Sequence, residues 1–184
     1  DVNQIATSLV SQAEHDPDSQ CILVTKQRSL IIKVKKEMNK ILNTIPRKKI
    51  AISSLKNNGL AIKVYSDKQV IDVINELAPE HLELCTNINN TIINEIKNAG
   101  SIFIGKFSPE AIGDYIAGPN HVLPTSGSAR FSSGLSVNDF LKRHSLIKIT
   151  KTGIERLGPS VINLALHEDL VGHANSVKIR LTRK

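Results

Sequence analysis

The sequence predicts an α/β fold in which helices cover a sheet, followed by a small, mostly helical C-terminal appendage. Three observations predict it. Short apolar runs such as Cys21–Thr25 and Ser101–Ile104 alternate with longer stretches of helical spacing. Aromatic residues make up 3% of the 184 positions and Trp is absent, so Ile, Leu, Val and Ala must build the core, which suits a sheet with covered faces. An apolar content of 40% is enough for a packed interior and too high for general disorder.

Residues 2–15 have the spacing of an amphipathic helix through Ile5, Leu9 and Val10, and Asp16-Pro17-Asp18 ends it. Cys21–Thr25 is a short apolar strand. Helical spacing returns over 27–44 at Leu30, Ile31, Val34, Met38 and Ile41. The β-branched run Lys49–Ser53 predicts a strand, Asn57-Asn58-Gly59 a turn, and Ala61–Tyr65 another strand. Asp67 is placed to cap a helix reaching Leu77 and stopped by Pro79. A helix over 89–98 closes on Gly100 as its C-cap, and a buried strand follows at Ser101–Ile104. Ser108-Pro109-Glu110 starts a short helix, with Ser as cap and Pro at its first position. The Ser/Gly-rich stretch 126–134 is a loop. A short helix over 136–143, a strand at Leu146–Ile149, a helix over 153–175 and an apolar-basic tail complete the chain. This order predicts an α/β lobe over residues 1–134 and the appendage over 135–184. Neither a repeat nor a Gly-x-Gly-x-x-Gly fingerprint is present.

The net charge of +7 raises the question of nucleic acid, but the basic residues are scattered or in short runs, and four Phe and two Tyr offer little for base stacking. Solvated helix faces explain the charge better, and no nucleic-acid partner is expected. No apolar run approaches the length of a membrane span and no charged-then-apolar leader begins the chain, so a soluble, cytoplasmic protein is expected. Cys21 and Cys85 lie far apart and are expected to be buried free thiols.

The chemistry concentrates in a few runs. Glu80-His81, just past the helix-stopping Pro79, places two proton acceptors of different strength side by side. Asp114 and His121 bracket Gly118-Pro119-Asn120, and both residue types suit Zn²⁺, although an Asp capping a turn and a His in a loop explain them equally well. Glu110 and Asp114, four apart, share one face of a helix. Gln12 and His15, three apart, can face one point as half of a metal site, although a surface helix end explains them equally well. Glu168 and His173 diverge on a continuous helix, so a shared site would need a break near Gly172. These spacings lead to a possible Zn²⁺ site with acid–base partners.

Taken together, Ser11-Gln12-Ala13-Glu14-His15, Ala78-Pro79-Glu80-His81-Leu82-Glu83, Asn98-Ala99-Gly100-Ser101, Gly113-Asp114-Tyr115, Gly118–Thr125 and the closing Glu168 and His173 resemble the histidinol dehydrogenase family in order and spacing. The resemblance implies a Zn²⁺-dependent homodimer that oxidises L-histidinol to L-histidine through L-histidinal with NAD. It implies Gln12, His15 and Asp114 as metal ligands, with His173 supplied across the dimer. It implies His81 as general base, Glu80 as the group that activates water, and His121, Glu110 and Glu168 as substrate contacts. Family chains are more than twice as long, so this chain is expected to correspond to a C-terminal half, and its lobe over residues 1–134 to an incomplete Rossmann-like sheet. Most NAD contacts are then expected outside it, leaving it inactive alone. The alternative is a non-catalytic zinc-binding or dimerisation remnant of the same fold.

Overall fold

A computed structural model of the chain describes residues 1–86 and 90–182. It divides into two compact units, Asp1–Asp139 and Phe140–Lys184.

The first unit opens with helix α1 (Val2–Ala13), whose leading N–H groups at Asn3 and Gln4 donate to the Asp1 side chain. Ala6, Val10 and Ala13 recur at helical spacing and form its buried stripe. Strand β1 (Cys21–Thr25), helices α2 (Arg28–Ile41) and α3 (Lys48–Asn58), and strand β2 (Gly59–Lys63) follow. The two strands pair in parallel, with Cys21 against Gly59 and Thr25 against Lys63. Val10, Ala13, Cys21, Leu42 and Ala51 make one buried cluster, with Met38, Ile41 and Leu55 packed on it.

Lys49–Ser53 is helical, not a strand. Its β-branched residues match a strand locally, but Ala51, Ser54 and Leu55 fall on one helical stripe that meets the α1–β1 core. The hydroxyl of the fully buried Ser54 donates to the Ser19 carbonyl at 2.8 Å. Asn57 and Asn58 continue the helix rather than turn. Gly59 carries the chain directly from α3 into β2, because any Cβ there would collide with the Leu55 carbonyl oxygen.

Helix α4 (Asp67–Leu77) is capped by Ser66 rather than Asp67, with Ser66 Oγ accepting from the Gln69 N–H at 3.2 Å. It ends at Ala78 in the left-handed region (φ 47°), as the following Pro79 disfavours a further helical residue. His81–Leu84 forms strand β3, where the sequence reading expects only the region past a helix end. Helix α5 (Asn90–Glu95) is shorter than expected, and residue 89 lies outside the described residues. Strand β4 (Ser101–Ile104) pairs in parallel with β3, His81 against Ser101 and Leu84 against Ile104. Among the described residues the strands thus make two separate parallel pairs. Helix α6 (Glu110–Tyr115) has Pro109 at its N-cap, and Ser108 does not cap it. Cys21 is buried as expected; Cys85 is exposed.

The second unit is a helical pair, α7 (Lys151–His167) and α8 (Val171–Leu181). Thr150 caps α7 through the Gly153 N–H at 3.1 Å. The helices pack closely where Gly158 meets Leu181 and Val177. The helix expected over 153–175 is therefore two, and the break falls at Asp169 (φ 59°), ahead of Gly172. Leu146–Ile149 is not a strand, and the helix expected over 136–143 is a single 3₁₀ turn at Val137–Phe140. Helix α8 runs on into the stretch expected to be a tail, whose last residues, 183 and 184, lie outside the described residues.

Gly100 does not cap a helix. Its N–H donates to the Pro79 carbonyl at 2.9 Å and the Ser101 N–H to the Glu80 carbonyl at 2.8 Å. An added Cβ would lie 2.6 Å from Glu80 O. Gly100→Ala should therefore lower stability by about 1–3 kcal/mol, the range for overpacking, measured by urea unfolding. An unchanged midpoint would show that the two segments part without cost.

Candidate active site

The β3–β4 pairing sets the base of a polar cluster. His81 is the first residue of β3 and Glu80 precedes it. The chain returns to this point through α6, which carries Glu110 and Asp114, and through the 116–121 loop, which carries His121. His81 Nε2 lies 2.8 Å from His121 Nε2, and the two rings are nearly parallel at 22°. Glu110 Oε1 lies 3.4 Å from His121 Nε2 and 3.8 Å from His81 Nε2. Glu80 Oε1 is 3.7 Å from His81 Nε2. The side chains of Glu110, His81 and His121 are 13%, 15% and 19% exposed, so water screens these contacts only partly.

Partial burial sets the acid–base character. It pushes the His81 imidazole down to about 4; the nearby His121 and His15 act in the same direction, and Asp114 opposes them. Burial raises the Glu80 carboxyl, against the pull of His121 and His15. It raises Glu110 as well, where Asp114 adds to burial and His121 opposes it. At neutral pH the site therefore presents His81 as an uncharged imidazole able to accept a proton.

Of the residues singled out by sequence, the structure brings together Glu80, His81, Glu110 and His121. His15 and Asp114 adjoin them closely enough to act on His81 electrostatically. Gln12 sits half-buried in the last turn of α1, where its carbonyl accepts from the His15 N–H at 3.4 Å. Glu168 ends α7 and His173 lies on α8, both in the second unit. A cleft of about 680 Å³ over β1 and β2, lined by Leu23, Val34, Met38 and Leu55 among others, contains none of these residues.

Sequence reasoning assigns no role to three residues that support the cluster. Glu83 Oε1 accepts from the Glu110 N–H at 2.8 Å, supplying the cap that Pro109 cannot. Phe103 tilts against His81 with ring centroids 6.3 Å apart. Gly113 makes room for that ring, since a Cβ there would lie 2.6 Å from Phe103 Cε1. The His81-Leu82-Glu83-Leu84 alternation is the signal that could have found Glu83, because it puts Glu83 and His81 on one strand face.

A mixed α/β chain that gathers two imidazoles and two carboxylates beside one strand end is a scaffold for proton exchange. The family model of histidinol dehydrogenase matches residues 1–181, and the chain belongs to that family. It is 54% identical over 180 residues to the histidinol dehydrogenase of Pelagibacter ubique, covering 98% of this chain and 42% of that one. The Bacillus subtilis histidinol dehydrogenase is 45% identical over 181 residues, with 98% and 42% covered. The crystal structure of histidinol dehydrogenase from Elizabethkingia anophelis superposes with a TM-score of 0.88 at 39% identity, again covering 98% of this chain and 42% of that one. The chain thus spans about two-fifths of the length of the relatives it matches.

Two expectations follow. An NMR titration should place the His81 midpoint near 4; a midpoint near the ordinary ~6.5 would mean that the ring is solvated. Because the folded value lies below the unfolded one, the stability tied to His81 is fully present above about pH 6.5 and is lost as pH falls toward about 4. Separately, Glu83→Ala should speed hydrogen exchange at the Glu110 amide by about five- to tenfold, the equivalent of a lost cap near 1 kcal/mol. Glu83→Gln, which keeps an acceptor oxygen, should restore most of the protection. Equal exchange in all three proteins would remove the capping role.

Proposed function

We propose that this chain supplies the acid–base and metal-holding part of a histidinol dehydrogenase, which oxidises L-histidinol to L-histidine through L-histidinal with NAD as hydride acceptor. The observation that carries this reading is the convergence of Glu80, His81, Glu110 and His121 within 4 Å contacts in a chain of that family.

In this reading His81 takes the substrate hydroxyl proton. Its neutral imidazole at physiological pH suits that task. Glu80, adjoining it, takes a proton from the water that adds to the aldehyde, so two neighbouring bases serve two half-reactions. Glu110 and His121 hold the polar end of the amino alcohol. The carboxylate of Glu110 favours its cationic amine. Glu168 and His173 would come from a second copy in a homodimer.

The donor set Gln12, His15 and Asp114 is chemically suited to Zn²⁺, with two oxygens and one imidazole nitrogen. His15 and Asp114 both act on His81, which fits a metal held beside the base. When bound, Zn²⁺ would orient the substrate nitrogens without changing its own redox state. The sequence shows no dinucleotide fingerprint. No described helix is long and apolar enough to cross a membrane, which accords with a cytoplasmic biosynthetic enzyme.

The test joins this chain to the N-terminal portion of the Pelagibacter ubique relative and measures NADH formation. His81→Asn should lower turnover by more than about 10²-fold, the lower range for general-base removal, with Zn²⁺ retained. Loss of the metal held by Gln12, His15 and Asp114 would instead make His81 a ligand of that set. Glu80→Gln should slow oxidation of L-histidinal more than that of L-histidinol; equal slowing would count against water activation.

A further inference from the structure

We propose that His81, Glu110 and His121 form a divalent-cation site of the Zn²⁺ type, separate from the Gln12, His15 and Asp114 set. Among the described residues this is the group of three His, Cys, Asp or Glu side chains whose donor atoms all lie within 4.8 Å of one another.

The geometry supports it quantitatively. The three donor atoms are His81 Nε2, His121 Nε2 and Glu110 Oε1, with separations of 2.8, 3.4 and 3.8 Å. Ligands about 2.0–2.1 Å from a tetrahedral Zn²⁺ stand about 3.3 Å apart, which is the mean of these three distances. A point equidistant from the three atoms lies about 2.0 Å from each, the length of a Zn–N or Zn–O bond. The triangle therefore already has the right size. Its short edge, between the imidazoles, must open by about half an ångström, and its long edge, between His81 and Glu110, must close by as much, which small side-chain rotations supply.

The chemistry agrees. Two imidazoles and one carboxylate are a donor set that zinc uses with its fourth position open. The carboxylate of Glu80, 3.7 Å from His81 Nε2, adds negative charge at the rim. Glu83 fixes the backbone of Glu110 from behind, so one ligand is anchored by a second group. At 2.8 Å the two Nε2 atoms are held together only if one carries a proton directed at the other. A cation takes the place of that shared proton, and the displaced proton moves to the far nitrogen of the same ring. One consequence rests on the proposed function: a filled trio removes His81 as a base, so excess Zn²⁺ would inhibit the dehydrogenase.

The binding claim is tested without any activity assay. The ¹⁵N-labelled chain is titrated with Zn²⁺ while the imidazole nitrogens are followed by NMR. The Nε2 resonances of His81 and His121 should shift together, with His144 and His167 unmoved. His121→Gln should weaken that binding by at least about tenfold, whereas the pair His15→Ala and Asp114→Asn should leave the His81 and His121 shifts in place. The proposal is overturned if saturating Zn²⁺ leaves both resonances still. It is overturned equally if their shifts vanish in the His15/Asp114 double variant. Should the double variant fail to fold, Gln12→Ala, which removes one donor of the other set, carries the same test and should leave both shifts in place. None of these outcomes depends on whether the dehydrogenase assay succeeds.

Discussion

The parallel pairing of β3 with β4 brings two unremarkable stretches of chain to within hydrogen-bonding distance, and the polar cluster is built on that contact. Its tightest point is the approach of Gly100 to the backbone of Glu80, which leaves no space for a side chain. Asn75, in the last turn of α4, fastens the same junction from below. Its Oδ1 accepts from the Lys97 N–H at 2.7 Å and the Asn98 N–H at 3.2 Å, and its Nδ2 donates to the Glu95 carbonyl at 3.0 Å. Asn98 Nδ2 completes the knot by donating to the Asn75 carbonyl at 2.9 Å. The strand that carries His81 and the strand that faces it are thus tied together before either contributes to the site.

On that base, steric fit and charge act together. Phe103 fills the space beside His81 because Gly113 leaves it open. Partial desolvation disfavours the charged forms of His81 and of both carboxylates, Glu80 and Glu110. A fully buried version would need every charge paired at high cost. A fully exposed one would behave like free imidazole and carboxylate in water.

Much of the scaffold is legible in the sequence where one physical signal dominates. Cys21–Thr25 and Ser101–Ile104 are short, apolar and bounded by turn residues, and they form the predicted strands. The helix ending ahead of Pro79 follows from what proline forbids. Lys49–Ser53 misleads because its local preference for strand is overridden by the burial of Ala51 and Ser54. Leu146–Ile149 is apolar enough for a strand but has no strand to pair with among the described residues. At the site, Glu80, His81, Glu110 and His121 stand out by chemistry, yet their mutual distances depend on β3–β4 register, which no local pattern encodes. Gly113 and Asn75 are silent in sequence because their work is done through empty space and backbone groups, and Glu83 shows only through the alternation of its strand.

The position of His81 at the first residue of β3 has an electrostatic meaning of its own. Ligand sites in parallel α/β sheets usually lie at the carboxyl ends of strands, where the positive ends of the following helices meet anions. Here the cluster lies at the amino end, immediately after α4, whose last residue is Leu77. Two helix ends of opposite polarity serve it: α4 stops at Leu77, three residues before Glu80, and α6 starts at Glu110 itself. The Glu83 carboxylate accepts from the leading N–H of α6, so the positive end of that helix is met by an acid at the place where the side chains converge.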